Sequence, residues 1–242
     1  MQKNVNRDAN KKEVYMKIIW LGQAGLLFDN GKVKIMVDPY LSNSVEKVEP
    51  LNYRRVPVKE EFLSVNPDVM IFTHDHLDHY DPETAPIFLE RKEKRMTVLS
   101  PSSVWQKARA FKAHNNVLFN RGTSWTEYGF RFTAVMAVHS DAYAIGVIIE
   151  DIAENKVYYV TGDTLYNKEI FSDLPENIDL IFLPINGVGN NMNMADAARF
   201  AKNTGARFVV PIHFGMFDEL SPEEFNLPNA VIPQIYQEIK IK

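Results

Sequence analysis

Four short apolar runs in this chain each end on a histidine or an aspartate. Val69–Phe72 leads through Thr73 to His74, and Val135–Val138 ends at His139. Val157–Val160 leads through Thr161-Gly162 to Asp163, and Phe208–Ile212 ends at His213. Runs of this length, rich in Val, Ile and Phe, read as buried strands. In sheet-based folds, ligand sites gather where loops leave the carboxyl ends of strands. The pattern therefore demands a fold that brings several strand ends to one edge. Of the 6 histidines, His74, His76, His79, His139 and His213 occupy such positions, and only His114 sits in a polar stretch elsewhere.

The remaining elements are read around these strands. Residues 1–13 form a polar arm, and residues 14–242 one domain. Val14–Leu21 reads as a strand, and Leu26–Asp29 turns at Asn30-Gly31 into Val33–Val37. Residues 40–57 read as a long polar loop of functional type. Pro82–Lys94 reads as a helix, and Ser100-Pro101 opens a second that runs to about Phe111. Trp125–Tyr128 and Phe130–Val138 form a hairpin over Gly129; Ala144–Glu150 and Val157–Thr161 form the next pair. Ile178–Leu183 is a strand, and Met194–Lys202 a helix stopped at Asn203-Thr204-Gly205. Arg207–Ile212 is the last strand, and the tail from Ser221 has no clear pattern. The fold class is α/β (α+β): two sheets face to face with helices outside.

With 242 residues and 45% hydrophobic residues, the chain can bury a core without disulfides. It has no cysteine, which excludes thiolate ligands and thiol nucleophiles. A net charge of −4 argues against a nucleic-acid partner, which leaves a basic footprint. No apolar run is long enough to span a bilayer, and Met1–Lys12 has no secretory apolar core, so the expected location is the cytoplasm. The oligomeric state is left open, a homo-oligomer included.

The densest chemistry lies in Thr73-His74-Asp75-His76-Leu77-Asp78-His79. His74 and His76 are two apart on an extended turn, so both rings can point the same way. Asp78 and His79 sit where the next helix begins and can face a neighbouring point. Neutral imidazole and carboxylate suit Zn, Fe and Mn. Asp38, at a strand end before Pro39, is the first candidate to hold the far ring nitrogen of a metal-binding histidine, and Asp196 the second. Asn186 and Asn190, in the loop after Ile178–Leu183, and Tyr143, close behind His139, are candidates to bind substrate. Ser140 and Asp141 are candidates to line the same pocket. Tyr53, Arg54 and Arg55, in the long loop, offer charge for a phosphate.

The set His-x-His-x-Asp-His, strand-end His, Gly-Asp and late strand-end His resembles the metallo-β-lactamase superfamily, from about Lys17 to Met216. Trp20-Leu21-Gly22-Gln23-Ala24-Gly25, Val37-Asp38-Pro39, Asn193-Met194-Ala195-Asp196-Ala197-Ala198 and Val210-Pro211-Ile212-His213 are similar to its L-ascorbate 6-phosphate lactonase-like branch. The resemblance implies a four-layer αβ/βα sandwich. It implies one metal site of His74, His76 and His139, a second of Asp78, His79 and His213, and Asp163 between them. One or two divalent ions, Mn, Zn or Fe, are the implied cofactors. Members that depend on a cysteine ligand are excluded.

The expected function is hydrolysis by a metal-activated water of a small ester-like substrate, a lactone such as a sugar-acid phosphate lactone. Asp78 or Asp163 would orient the water and take its proton. Two alternatives stand beside this: a phosphodiesterase up to a tRNA-processing nuclease, and a non-catalytic metal-binding protein. A nuclease would need a basic surface and a gripping arm, and neither is visible in this acidic chain. A non-catalytic protein need not retain seven ligands.

Overall fold

A computed structural model describes residues 15–241; the expected arm 1–13 lies outside the described residues. Two six-stranded sheets are present. The first runs β1 (Lys17–Gly22), β2 (Gly25–Asp29), β3 (Lys34–Val37), β4 (Val69–Ile71), β5 (Thr97–Ser100) and β6 (Asn115–Leu118), in that order across the sheet. The second holds β7 (Ser124–Glu127), β8 (Phe130–Met136), β9 (Ile145–Asp151), β10 (Lys156–Val160), β11 (Leu180–Pro184) and β12 (Phe208–Ile212), also in chain order. Each sheet begins as an antiparallel meander and ends in parallel strands, from β3 to β6 and from β10 to β12.

Side-chain alternation explains the layers. Ile18, Trp20, Phe28, Val37 and Ile71 point between the sheets and meet Phe132, Val147, Val160 and Phe182. Phe28 packs edge-on against Phe182 at 5.7 Å and Tyr158 at 5.5 Å, joining the two sheets. Their neighbours Ile19, Leu21, Met36, Met70 and Val98 point the other way, under α2 (Thr84–Leu89) and α3 (Ser102–Arg109). The first sheet is thus buried on both faces, which is why its central strands read as continuous apolar runs. The outer face of the second sheet is covered by α4 (Met194–Thr204), through Ala197, Phe200 and Ala201. The two mixed sheets with outer helices are the expected sandwich.

Several elements differ from expectation. The helix expected over Pro82–Lys94 is confined to Thr84–Leu89. It stops early because Arg91 turns back to donate to the carbonyls of Leu63 and Val65, and the chain must then enter β5. β5 and β6 were not expected. β5 lies directly against the Ser100-Pro101 helix start, and β6 is an edge strand whose Asn-Asn-Val-Leu sequence is polar because it is half exposed. The 40–57 segment is not a plain polar loop: it contains α1 (Ser44–Val48) and buries Tyr40, Leu41 and Val45. The tail pairs with sheet edges. Tyr236 N–H donates to Trp20 O and Ile239 N–H to Ile18 O, while Val231 N–H donates to Val209 O. No described helix is long and apolar enough to cross a membrane.

Strand direction places the site. β8, β10, β11 and β12 all run the same way, so Met136, Val160, Pro184 and Ile212 end at one rim of their sheet. β3 and β4 are parallel to each other and deliver Asp38 and Thr73–His74.

Candidate metal centre

The seven residues expected as ligands come together at this rim. Donor atoms of His74, His76 and His139 lie within 4.8 Å of one another, as do those of His74, His79 and Asp163, and those of Asp78, His79 and His213. His74 and His79 are shared or adjacent between triplets, so the three groups form one continuous cluster. His139 Nε2 is 3.1 Å from His76 Nδ1, and His213 Nε2 is 3.2 Å from Asp163 Oδ2 and 3.3 Å from Asp78 Oδ2.

Each outer ring nitrogen is tied to the protein. His79 Nδ1–H donates to Asp38 Oδ2 at 2.8 Å. Thr73 Oγ1–H donates to the same oxygen at 2.5 Å and so is left to accept from His74 Nδ1–H at 3.1 Å. His139 Nδ1–H donates to Asn190 O at 3.3 Å. His76 Nε2 faces Ser140 Oγ at 3.3 Å. One carboxylate, Asp38, fully buried and anchored by Thr73 N–H, therefore orients two imidazoles. This fixes the tautomer that turns the inner nitrogen toward the cluster.

The inner atoms test whether a metal fits. His74 Nε2, His79 Nε2, His213 Nε2 and Asp163 Oδ1 are all buried without a hydrogen-bond partner. His79 Nε2 and Asp163 Oδ1 are 3.3 Å apart, yet not aligned as a hydrogen bond. Buried polar atoms are normally satisfied, and unpaired ones are costly. His74, His79 and Asp163 share one of the triplets above and His213 belongs to the adjoining one, and imidazole with carboxylate is the donor chemistry that suits divalent cations. The residues present fit such an ion.

Charge points the same way. Burial would lower His79, but the carboxylates of Asp163, Asp38 and Asp78 outweigh it and hold it well above the usual histidine range. His213, despite burial, is pushed up to about 10 by Asp163 and Asp78. Burial opposes ionisation of Asp163, but His213 and His79 hold it well below the usual carboxylate range. Burial and its neighbour His79 instead push His74 down. The carboxylates thus fix positive charge at this point, and a divalent ion supplies that charge while leaving the imidazoles neutral.

Four of the eight described non-glycine residues with positive φ lie at or beside the site. Gln23, Asp38, Asn190 and His213 all adopt positive φ, at 46°, 41°, 62° and 60°. Non-glycine residues in this region are uncommon and cluster at functional sites. Gly162, at φ 61°, turns β10 into Asp163; a Cβ there would stand 2.6 Å from Ile145 O.

Other expected residues are placed differently. Asn186 reaches the cluster and lines the cavity above it, with Nδ2 3.1 Å from His213 Nδ1, so it supports a ligand as well as facing the pocket. Asn190 contributes its carbonyl to His139, while the residue is exposed and does not line the cavity. Tyr143 is 55% exposed and also outside the cavity lining, because Asp141 accepts from its N–H and curls that turn outward. Asp196 does not reach any histidine: it stands in the first turn of α4 and pairs with Arg199 at 3.0 Å. A charge there favours the helix N-terminus. Arg54 turns inward, donating to Tyr40 O and Tyr236 Oη, and Arg55 donates to Phe217 O; neither lines the cavity.

Three residues have roles that only the structure reveals. Gln23 Nε2 donates to Asp78 Oδ2 at 3.0 Å, and its carbonyl accepts from His213 N–H. Asn191 Nδ2 donates to Asp163 Oδ2 at 2.8 Å. Thr73 relays Asp38 to His74, as above. The sequence signals for them were indirect: Gln23 lies in the Trp20–Gly25 stretch quoted above, Thr73 stands beside His74, and Asn191 closes the Asn-rich loop expected to meet substrate rather than to hold a ligand.

A family model described as a β-lactamase superfamily domain matches residues 34–214, which include every one of these seven donors. This chain belongs to the β-lactamase superfamily. A UPF0173 metal-dependent hydrolase of Pyrococcus abyssi is 31% identical over 87% of the chain and 90% of that protein, which places the chain in the UPF0173 family of the superfamily. A second UPF0173 metal-dependent hydrolase, from Thermoplasma volcanium, is 27% identical over 93% of the chain and 99% of that protein. The superfamily chain also shares its fold with a metallo hydrolase of Ignicoccus hospitalis, at a TM-score of 0.74 and 19% identity, covering 94% of this chain and 99% of the other.

Proposed function

We propose that this chain hydrolyses a small ester-like substrate, in the first instance a lactone, at a centre of one or two divalent ions, Mn, Zn or Fe. His74, His76 and His139 would hold one ion, and Asp78, His79 and His213 a second, with Asp163 between them. The observation that carries this reading is the set of four buried, partnerless donor atoms spread over two adjoining triplets, with Asp163 and His213 opening onto a cavity. A bound ion of this kind supplies Lewis acidity and a reactive water near neutral pH.

The protein's own groups do the rest. Asp38 and Thr73 hold His79 and His74 in orientation, and Asn191 holds Asp163 by one carboxylate oxygen, leaving the other free. Asp78, steadied by Gln23 through Oδ2, lines the cavity and is more exposed than Asp163, with side-chain accessibilities of 17% and 6%. Its Oδ1, or the free Oδ1 of Asp163, would take a proton from the attacking water and return it to the departing oxygen, and the greater exposure of Asp78 supports the former. The cavity, of about 570 Å³, suits a small molecule rather than a polymer. The stretches similar to the lactonase-like branch, Gly22–Gly25 and Val210–His213 among them, supply residues of this same site, which supports a lactone as the first substrate to try.

The test is an assay of the Mn- or Zn-loaded protein on a lactone panel beside bis-p-nitrophenyl phosphate. The expected result is lactone turnover that chelation removes, metal restores and Asp163→Ala abolishes. Turnover of the phosphodiester alone would replace this reading with phosphodiester hydrolysis, and silence on both would favour a non-catalytic metal-binding protein.

A further inference from the structure

We infer that the part of the substrate beyond the reacting bond is partly apolar and carries no phosphate or other anionic group. The inference rests on the hydrolytic reading above and narrows its substrate class. The centre itself could take one anionic group, so the question is what the walls recognise further out.

Among the described residues, none that lines the cavity is Lys or Arg. The cations nearby in sequence are committed elsewhere. Arg54 donates to two backbone carbonyls, of Tyr40 and Val56, and to Tyr236 Oη. Arg55 donates to Phe217 O, and its guanidinium lies 4.5 Å over the Tyr53 ring. Lys107 is bound to Asp75 at 2.6 Å and so neutralises a wall carboxylate. Binding a phosphate away from the centre would need Arg, Lys or a cluster of N–H groups turned toward it.

Beside its amides and carboxylates, the wall has an apolar part. Val45, Leu77, Val188 and Phe217 line the cavity. Val188 is 63% exposed on that wall. Apolar side chains left this open beside a built cavity mark a surface awaiting a ligand. Glu49, on the same wall, is exposed and among the described residues accepts from the neutral amide of Asn52 without an ion-pair partner, so an anionic tail would also meet like charge.

The test separates tail preference from turnover. The Mn-loaded full chain is titrated calorimetrically with hexanohydroxamic acid and with its 6-phosphorylated counterpart, whose hydroxamate ends are identical. The expected result is at least a roughly tenfold tighter Kd for the neutral tail, with the gap narrowed several-fold in Glu49→Lys. Equal or tighter binding of the phosphorylated tail overturns the inference. A gap unmoved by Glu49→Lys overturns the placement of the tail along this wall. If the neutral tail is preferred but no ester or lactone is turned over, hydrolysis fails and the substrate-tail assignment stands. If neither probe binds, the metal centre fails, and the assignment with it.

Discussion

Asn186 shows how closely the residues around the ligands are matched to metal binding. Its Nδ2 lies 3.1 Å from His213 Nδ1, while its Oδ1 is buried without a partner. A half-turn of the amide would let Oδ1 accept from Nδ1–H, the tautomer that leaves Nε2 free for an ion. Asn186→Leu should therefore weaken metal affinity by about 10–100-fold with the fold intact, and Asn186→Asp should recover most of it. Competition against a chelator dye measures both. A separate residue sets part of the acid stability. Hydrogen bonds from Arg121, then the Met136 N–H, hold Asp173 below the usual carboxylate range despite some burial. A depressed carboxylate contributes stability above its unfolded value of about 3.9, and that contribution disappears as pH falls through the folded value. The stability difference between wild type and Asp173→Asn should then be largest near pH 6 and shrink below pH ~3.5 in urea titrations. The ligands themselves were legible in the sequence because histidine is scarce and these sit at strand ends. Gln23, Thr73 and Asn191 were not, because amides and hydroxyls are common at turns and only the tertiary approach gives them a partner.

Elements were legible where burial imposes a pattern. β4, β8, β10 and β12 carry apolar runs because both of their faces are covered or one faces the core. β6 escaped because an edge strand is half solvent and reads as polar, and β5 because a helix start adjoins it. The α1 segment escaped because a five-residue helix has too few positions to show a period. The turn from β10 into Asp163 carries a prediction of its own. Gly162 has φ 61°, and a Cβ there would meet Ile145 O at 2.6 Å and Thr73 Cβ at 3.2 Å. Gly162→Ala must move β10 away from β9 or from the Thr73 turn. It should cost about 1–3 kcal/mol in urea unfolding and also lower metal affinity, because both displaced neighbours carry the site. A stable variant with unchanged affinity would show that the turn tolerates the side chain.

For the whole molecule, two sheets serve one rim. Each closes its edge pairing with the tail: residues 236 and 239 on β1, residue 231 on β12. The first sheet brings Asp38, His74, His76, Asp78 and His79; the second brings His139, Asp163 and His213. The centre therefore exists only when both sheets are packed, so metal binding and folding are coupled. That convergence was legible as strand ends needing a common edge, while the burial of Arg54 and the apolar part of the cavity wall were not, since they depend on how α1 and the 40–57 segment fold over the rim. The most direct test of the account is anomalous diffraction from crystals grown with Mn or Zn. It predicts peaks within about 2.3 Å of the inner nitrogens of His74, His79 and His213 and of Asp163 Oδ1. A fully folded protein whose only anomalous peaks lie away from those atoms would contradict it.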